Sequence, residues 1–136
     1  MQPIEEMEVR VAEVVDYLRI RGDFTPALRE VVGRKVAAQN AIKAGIVVTD
    51  EELQRAADVF RASRGLHKAS DTESWMKSVG LTEESLESFL ETSLLVSKFK
   101  DHLANNTDKA KYFKLEGVQD TVRELIYQDW LQEQMK

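Results

Sequence analysis

The sequence predicts an all-α protein, and three observations support this class. The 136 residues include only two prolines, which interrupt helices wherever they fall in the interior. Apolar residues recur every three or four positions along most of the chain, which is the period of one face of an α-helix. Polar segments typical of helix starts and single glycines typical of helix ends separate these stretches. We therefore expect a single compact bundle of about six helices, with residues 1–136 forming one domain.

The first two predicted helices differ in how much of their surface is apolar. The first, from Ile4 to Ile20, carries one apolar seam before Gly22 ends it. The members of this seam are Ile4, Met7, Val11, Val14 and Leu18. Thr25 and Pro26 are expected to start the second helix, because threonine caps helices and proline suits their first position. That helix continues to about Ala44 with small and branched residues on several sides, which predicts a central position.

The third, fourth and fifth helices begin at segments typical of helix caps. Thr49 to Glu52 forms a capping box, in which each end residue binds the other's backbone N–H group, and it opens a helix to about Arg64. Ser70 to Glu73 is a second such box, and it precedes a short helix that Gly80 ends. Thr82 is the expected cap of the fifth helix.

The fifth helix continues to about Leu103 and is apolar over more than one stripe of its surface. The apolar set is Leu86, Phe89, Leu90, Leu94, Leu95, Val96, Phe99 and Leu103. Either two neighbouring helices flank it, or part of its apolar face is left for a partner. A last helix is expected from about Val118 to Gln134, with one apolar face.

The composition and the motifs favour no catalytic, cofactor or metal site. A chain without cysteine forms no disulfide, no thiolate zinc site and no cysteine nucleophile. The two histidines, His67 and His102, lack the spacing of a helical metal site, and the six glycines form no phosphate-binding loop. Acidic pairs such as Glu51-Glu52 begin helices, where the helix dipole and capping explain them. We expect a protein that is not an enzyme and that binds no cofactor.

Charge and hydropathy disfavour nucleic acid and membrane partners. The formal net charge is −5, whereas nucleic-acid-binding domains are usually basic. The second helix carries Arg29, Arg34, Lys35 and Lys43, which a DNA-recognition helix could use, but its apolar sides favour solvated charges at the edge of a core helix. No apolar run approaches ~18 residues. The acidic N-terminal residues do not resemble a signal peptide, so we expect a cytoplasmic protein.

Three segments occur in an order that is typical of one protein family. They are G-I-V-V-T-D-E-E-L at Gly45 to Leu53, W-M-K-S-V-G-L-T at Trp75 to Thr82, and the long Leu/Phe-rich helix that follows. This order resembles the N-terminal domain of SurA-like and PpiC-like peptidyl-prolyl isomerases. The residues from Val118 onward are similar to the helix that returns to that domain in the family. The resemblance covers residues 25–136 and implies a helical, chaperone-like domain.

The chain departs from that family where the catalytic domain is expected. In the family, a parvulin-type isomerase domain lies between the long helix and the returning helix. Here only the stretch from Ala104 to Gly117 separates them, whereas a separate domain needs at least ~50 residues. The catalytic residues of the parvulin domain therefore have no positions in this chain. The resemblance implies the chain-binding part of the family without isomerase activity.

We expect a non-catalytic, chaperone-like domain that holds unfolded or extended polypeptide against an apolar surface. The side chains expected to form this surface are Trp75, Met76, Phe89, Phe99, Tyr112 and Phe113. Core packing is the alternative for the first four, because they lie at helical core spacing. The alternative function is a structural dimerisation module, in which the last helix of one copy pairs with the first-helix seam of another.

Overall fold

The computed structural model describes residues 8–107 and 119–136, and these residues form six helices. The helices are α1 (Val11–Arg21), α2 (Phe24–Lys43), α3 (Asp50–Ser63), α4 (Ala69–Val79), α5 (Glu83–Asn105) and α6 (Gln119–Gln134). Neither of the two described ranges contains a β-strand. The predicted all-α class and the expected number of helices are therefore confirmed.

The contacts within the chain divide it into two compact units. These units are Met1–Gly33 and Arg34–Lys136, so their boundary falls inside α2. The organisation as one domain stays a prediction. No helix of the described ranges is both long enough and apolar enough to cross a membrane.

Two of the predicted helix caps are confirmed. At the start of α3, the Thr49 hydroxyl accepts a hydrogen bond from the Glu52 N–H at 3.1 Å, and the Glu52 carboxylate accepts one from the Thr49 N–H at 3.0 Å. At the start of α5, the Thr82 hydroxyl accepts a hydrogen bond from the Ser85 N–H at 3.1 Å. These contacts satisfy N–H groups that have no partner within the helix, and so they fix where α3 and α5 begin.

Three other predicted helix starts are wrong. Residues 8–10 are not helical, so the first helix begins at Val11 instead of Ile4. Helix α2 begins at Phe24, so Thr25 lies inside its first turn instead of capping it. Pro26 is still tolerated, because the first turn of a helix does not use those N–H groups. Helix α4 begins at Ala69 after Lys68, which supplies no side-chain cap, and the predicted box at 70–73 lies within the helix. Both α2 and α4 therefore begin two residues before the first helical position that the predicted caps imply.

The end of α4 shows why glycine follows four of these helices. Gly80 has a φ of 73°, a left-handed conformation that is costly for residues with a Cβ atom. This conformation lets the Leu81 N–H bond to the Met76 carbonyl oxygen at 2.9 Å, which closes the last turn. The same positive φ occurs after the other helices at Gly22, Gly45 and Gly65. The predicted glycine stops are confirmed at all four positions.

In the first unit, α1 is a short helix whose side chains are left exposed. None of its eleven residues is buried, including the seam members Val11, Val14 and Leu18. The exposed fraction reaches 79% for Val11 and 85% for Ile20. Val15 and Leu18 are half-buried, and a helix of fewer than ~12 residues is only marginally stable on its own in water. Ile4 and Met7, the first two members of the predicted seam, lie outside the described residues.

The core of the second unit lies along one side of α5. The small residues Ala37, Ala38 and Ala41 of α2 pack with three residues of α5 and one of α6. The α5 and α6 members are Leu95, Val96, Phe99 and Tyr127. Small side chains of α2 thus share one core with larger side chains of α5 and α6. The predicted central packing of the second helix applies to this C-terminal half of α2.

Helix α6 packs against α5 through apolar and charged contacts. The Trp130 ring meets the Phe99 ring edge-on, with 4.9 Å between their centroids. Lys100 forms an ion pair with Glu124, and the Arg123 Nε donates to the Asp101 carboxylate at 2.6 Å. The apolar side of the last helix is therefore partly covered by α5, with Ile126 buried and Leu125 exposed.

Replacing Phe99 by alanine is expected to destabilise the second unit strongly. Phe99 is 4% exposed at the centre of the core, and large-to-small changes of buried phenylalanine cost about 3–5 kcal/mol. The matched control is Phe89→Ala on the same helix, where the side chain is 49% exposed and a loss of about 1 kcal/mol is expected. Urea unfolding of both variants measures the difference. Equal losses for the two variants would contradict this description of the core.

Candidate functional site

An apolar depression among the described residues is a groove along α3. It has a volume of about 530 Å³, is open to solvent and is lined mostly by carbon atoms. Its lining residues are Glu52, Arg55, Ala56, Val59, Phe60 and Ser63 of α3, together with Leu94 of α5. We call this depression the α3 groove.

The spacing of its residues explains why one face of α3 lines the groove. The α3 members are separated by steps of three and one, which keeps them on the same side of a helix. The inner edge of this face packs toward α5, where Leu94 contributes to the floor. The outer edge stays open, and Val59 is 64% exposed. The amphipathic face of α3 is thus only partly covered.

One end of the groove is fixed by the side chains of Glu52 and Lys98. The Lys98 ammonium nitrogen lies 2.6 Å from each carboxylate oxygen of Glu52. It also donates to the Val47 carbonyl oxygen at 2.7 Å, so it joins α5 to the segment before α3. The hydrogen bond from Lys98 and those from Thr49 lower the pKa of Glu52 from 4.5 to about 2. Both charges are therefore engaged in holding α3 against α5.

Aromatic rings and an arginine lie beside the other end of the groove. The Phe60 and Trp75 rings are 5.6 Å apart and tilted, which joins α3 to α4. The Arg64 guanidinium lies 4.6 Å from the Phe60 ring centroid and 5.4 Å from that of Trp75. Such cation–π contacts hold the arginine over the rings. The indole of Trp75 therefore reports on changes at this end of the groove.

Arg55 is the charged side chain that the groove leaves available. It forms no hydrogen bond or ion pair with any residue in the described ranges, whereas Glu52 is engaged by Lys98. On the side of α3 away from the apolar face, Asp58 is paired with Arg61. An apolar segment that carries an acidic side chain would find a free partner at Arg55.

The structure places the predicted surface residues in different environments. Phe99 and Met76 are buried, so the Phe99 ring and the Met76 thioether contribute to packing. Trp75 is half-buried beside the α3 groove. Phe89 is exposed on α5, where the Arg34 guanidinium lies 4.6 Å from its ring centroid. The other two predicted residues, Tyr112 and Phe113, lie outside the described residues.

Arg34 does not behave as the solvated edge charge that the sequence suggested. Its guanidinium donates to the Phe89 carbonyl oxygen at 3.1 Å and to the Ser93 hydroxyl at 3.0 Å. These contacts cross from α2 to α5 and cover one side of the Phe89 ring. Arg34 therefore holds two helices of the second unit together.

None of the residues that line the groove is among the six side chains predicted from the sequence to bind polypeptide. Leu94 belongs to the wide apolar set predicted for the fifth helix, and Glu52 was predicted only as part of the capping box. In the sequence, the groove residues of α3 are recognisable by their spacing, which alternates between three and one positions from Glu52 to Ser63. An apolar face is visible in such a run, but its degree of cover depends on a neighbour that is distant in sequence.

The other depressions and side-chain clusters described here are weaker candidates for a functional site. Two further depressions, one beside the loop between α3 and α4 and one between α2 and α5, are about as polar as apolar. Within the described ranges, no group of three acidic or histidine side chains is placed to hold a metal ion. The α3 groove is therefore a stronger candidate for an apolar ligand than either of these two depressions.

Comparisons with protein-family models, with curated proteins and with solved structures find no match to this chain. The resemblance to SurA-like and PpiC-like isomerases stays a prediction from the sequence. The functional interpretation of the α3 groove therefore depends on its geometry alone.

The contribution of Glu52 to stability is expected to depend on pH. Because its pKa is lower in the folded chain than the ordinary 4.5, the folded state favours the ionised form. The stabilisation is fully present above pH 4.5 and is lost as the pH falls toward about 2. The difference in unfolding free energy between the unsubstituted protein and Glu52→Gln should therefore shrink over this range.

NMR titration of the Glu52 carboxyl measures the lowered pKa that causes this pH dependence. The expected pKa is about 2, and Lys98→Met should raise it because the largest stabilising contact of the carboxylate is removed. Titration of Glu52 at its ordinary value in the unsubstituted protein would contradict the arrangement at this end of the groove.

Proposed function

We propose that this protein binds apolar segments of unfolded or extended polypeptide in the α3 groove, as a chaperone-like domain without catalytic activity. The observation that supports this proposal best is the open apolar face of α3, where Val59 is 64% exposed beside Phe60 and Leu94. Exposed apolar surface that is concave and continuous is typical of interaction sites, whereas single exposed residues are common everywhere.

The size of the groove suits a few side chains of a bound chain. Its volume of about 530 Å³ falls within the ~300–1,000 Å³ that is usual for ligand sites. It is open along its length, so a polypeptide can enter sideways without threading. A segment with two or three neighbouring apolar side chains would cover the exposed part of α3.

The chemistry of the lining predicts weak sequence selectivity. Of its polar side chains, Glu52 is held by Lys98, so Arg55 and Ser63 are left to contact a ligand. Few directed hydrogen bonds mean that affinity follows the buried apolar area and not a particular sequence. A preference for acidic residues next to the apolar ones is expected from Arg55. This selectivity suits a protein that holds many unfolded chains.

The resemblance found in the sequence leads to the same class of function. It implies the chain-binding part of an isomerase family without the parvulin domain, and the proposal keeps that expectation. The binding surface is moved, however, from the six residues first proposed to the α3 groove. Of those six, Trp75 stays beside the site through its contact with Phe60.

A dimerisation module is the second candidate, and the exposure of α1 favours it. None of the described residues of α1 is buried, although seven of the eleven are apolar. The version with a swapped last helix has less support, because α6 packs on α5 through Phe99 and Trp130.

Binding of an apolar peptide is expected to be weakened by Val59→Ser. Removing the isopropyl group deprives a bound segment of apolar contact worth about 1.4 kcal/mol, which is roughly tenfold in affinity. The matched control is Val79→Ser, at an exposed valine (51%) near the end of α4 that lies outside the groove. Trp75 fluorescence measures binding in a Trp130→Phe background, where it is the remaining indole.

The same pair of variants can be compared in a chaperone assay. The unsubstituted chain should suppress aggregation of a denatured model protein at stoichiometric ratios, Val79→Ser should do so equally, and Val59→Ser should do so less. The proposal fails if the unsubstituted chain neither suppresses aggregation nor changes its Trp75 fluorescence with apolar peptides. It also fails if the two valine variants behave alike.

A further inference from the structure

Two arginines lie at the α3 groove without a carboxylate partner in the described ranges. Arg55 lines the groove, and the Arg64 guanidinium lies beside its other end, over the Phe60 ring. We call Arg55 and Arg64 the rim arginines. Building on the proposed function, we propose that the groove selects extended polypeptide segments whose apolar residues lie between two acidic residues.

The first support is the balance of charge around the groove. Glu52, the one acid among the lining residues, is already engaged in the ion pair that holds α3 against α5. Asp58, on another side of α3, is paired with Arg61. Glu51 lies one turn before Arg55 and forms no ion pair with it. The rim arginines are therefore available to the carboxylates of a ligand, although the whole chain has a formal net charge of −5.

The second support is the way in which Arg64 is held. Its guanidinium lies 4.6 Å from the Phe60 ring centroid and 5.4 Å from that of Trp75. Contact with the rings orients the guanidinium without using its N–H groups, and in the described ranges these groups donate no hydrogen bond. A carboxylate bound there meets an arginine that is already positioned, so less side-chain freedom is lost on binding.

The third support is the distance between the rim arginines. They are nine positions apart on α3 and its C-cap, so their backbones are separated by about 13 Å along the helix. An extended chain rises about 3.3 Å per residue, so acidic residues at positions i and i+4 match this distance. Residues i, i+2 and i+4 of an extended chain point to the same side. Both acids and the apolar residue between them therefore face α3 together.

The arrangement of charge favours a polypeptide segment over an anionic membrane. A membrane surface meets a whole face of the protein, and the net charge of −5 opposes that approach. A short segment senses mainly the charges within a Debye length, which is about 8 Å at physiological ionic strength. The groove is also concave, which suits a chain better than a flat surface.

Three short peptides test the selection, with blocked ends that remove the terminal charges. The Glu peptide contains Glu-Leu-Leu-Leu-Glu, and the Gln peptide has glutamine in place of both acids. The clustered peptide contains Leu-Glu-Leu-Glu-Leu, so its composition equals that of the Glu peptide while its carboxylates lie closer together. Glycine and serine at both ends keep the peptides soluble. Calorimetry with the full chain measures the affinities without depending on the indoles.

The Glu peptide is expected to bind about tenfold more tightly than the Gln peptide, because each exposed ion pair contributes about threefold. It should bind about threefold more tightly than the clustered peptide, whose carboxylates reach one rim arginine at a time. Equal affinity for the Glu and Gln peptides, or for the Glu and clustered peptides, would overturn the selection. Binding of the Gln peptide would still support the proposed function.

Variants of the rim arginines locate the effect. Arg55→Gln and Arg64→Gln should each weaken binding of the Glu peptide about threefold and leave binding of the Gln peptide unchanged. Arg55→Lys and Arg64→Lys keep the charge and should retain most of the preference. The matched control is Lys43→Gln, at an exposed residue at the end of α2 that does not line the groove. A loss of equal size in this control would overturn the assignment to the rim arginines.

Three further outcomes separate this selection from its rivals. If Val59→Ser weakens none of the peptides while the arginine variants weaken the Glu peptide, the carboxylates bind without the apolar groove and the proposed function fails. Vesicles of phosphatidylcholine and phosphatidylserine that bind the unsubstituted chain, but not the chain with both arginine-to-glutamine changes, would overturn polypeptide as the occupant. A dimer in sedimentation that Arg55→Gln disperses would overturn it in favour of a second copy.

Discussion

Packing on α5 is the constraint on which the second unit depends, because α6 and α3 pack against this helix and three alanines of α2 join the same core. Ala37, Ala38 and Ala41 leave room for the large side chains of α5, so Phe99 fills the centre of the core. The packing around Phe99 fixes the side of α5 on which α2 and α6 lie. Leu94 is then left to α3, because it lies on a different side of the same helix. A larger residue at any of the three alanines would move these helices apart.

The groove is open because the helices beside α5 do not cover all of its apolar surface. Two of its neighbours, α2 and α6, cover the side around Phe99, while α3 covers only part of the remaining apolar surface. The capping box at Thr49 and the Glu52–Lys98 pair hold α3 in position without covering its outer edge. Polar contacts at the end of the groove thus maintain an apolar face that remains exposed to solvent.

Local signals in the sequence were sufficient for most of the fold. The Thr49 and Thr82 caps and the four glycine stops depend on residues a few positions apart, and the structure has them as expected. The starts of α1, α2 and α4 differ from the prediction, since a residue type suited to capping does not by itself decide where a helix begins. Which apolar residues remain exposed could not be predicted, because the exposure of Val59 depends on contacts with α5 about 35 residues later. The helical period identified the apolar face, and packing decided how much of it was covered.

Apolar polypeptide is proposed to bind along the outer edge of α3. Amide hydrogen exchange, measured with and without a saturating apolar peptide at low protein concentration, tests it most directly. Contact along one face of a helix slows the local openings that permit exchange. The expected result is slower exchange in Asp50–Ser63, with α6 (Gln119–Gln134) unchanged. Unchanged exchange in α3, or slowing of equal size in α6, would contradict the claim.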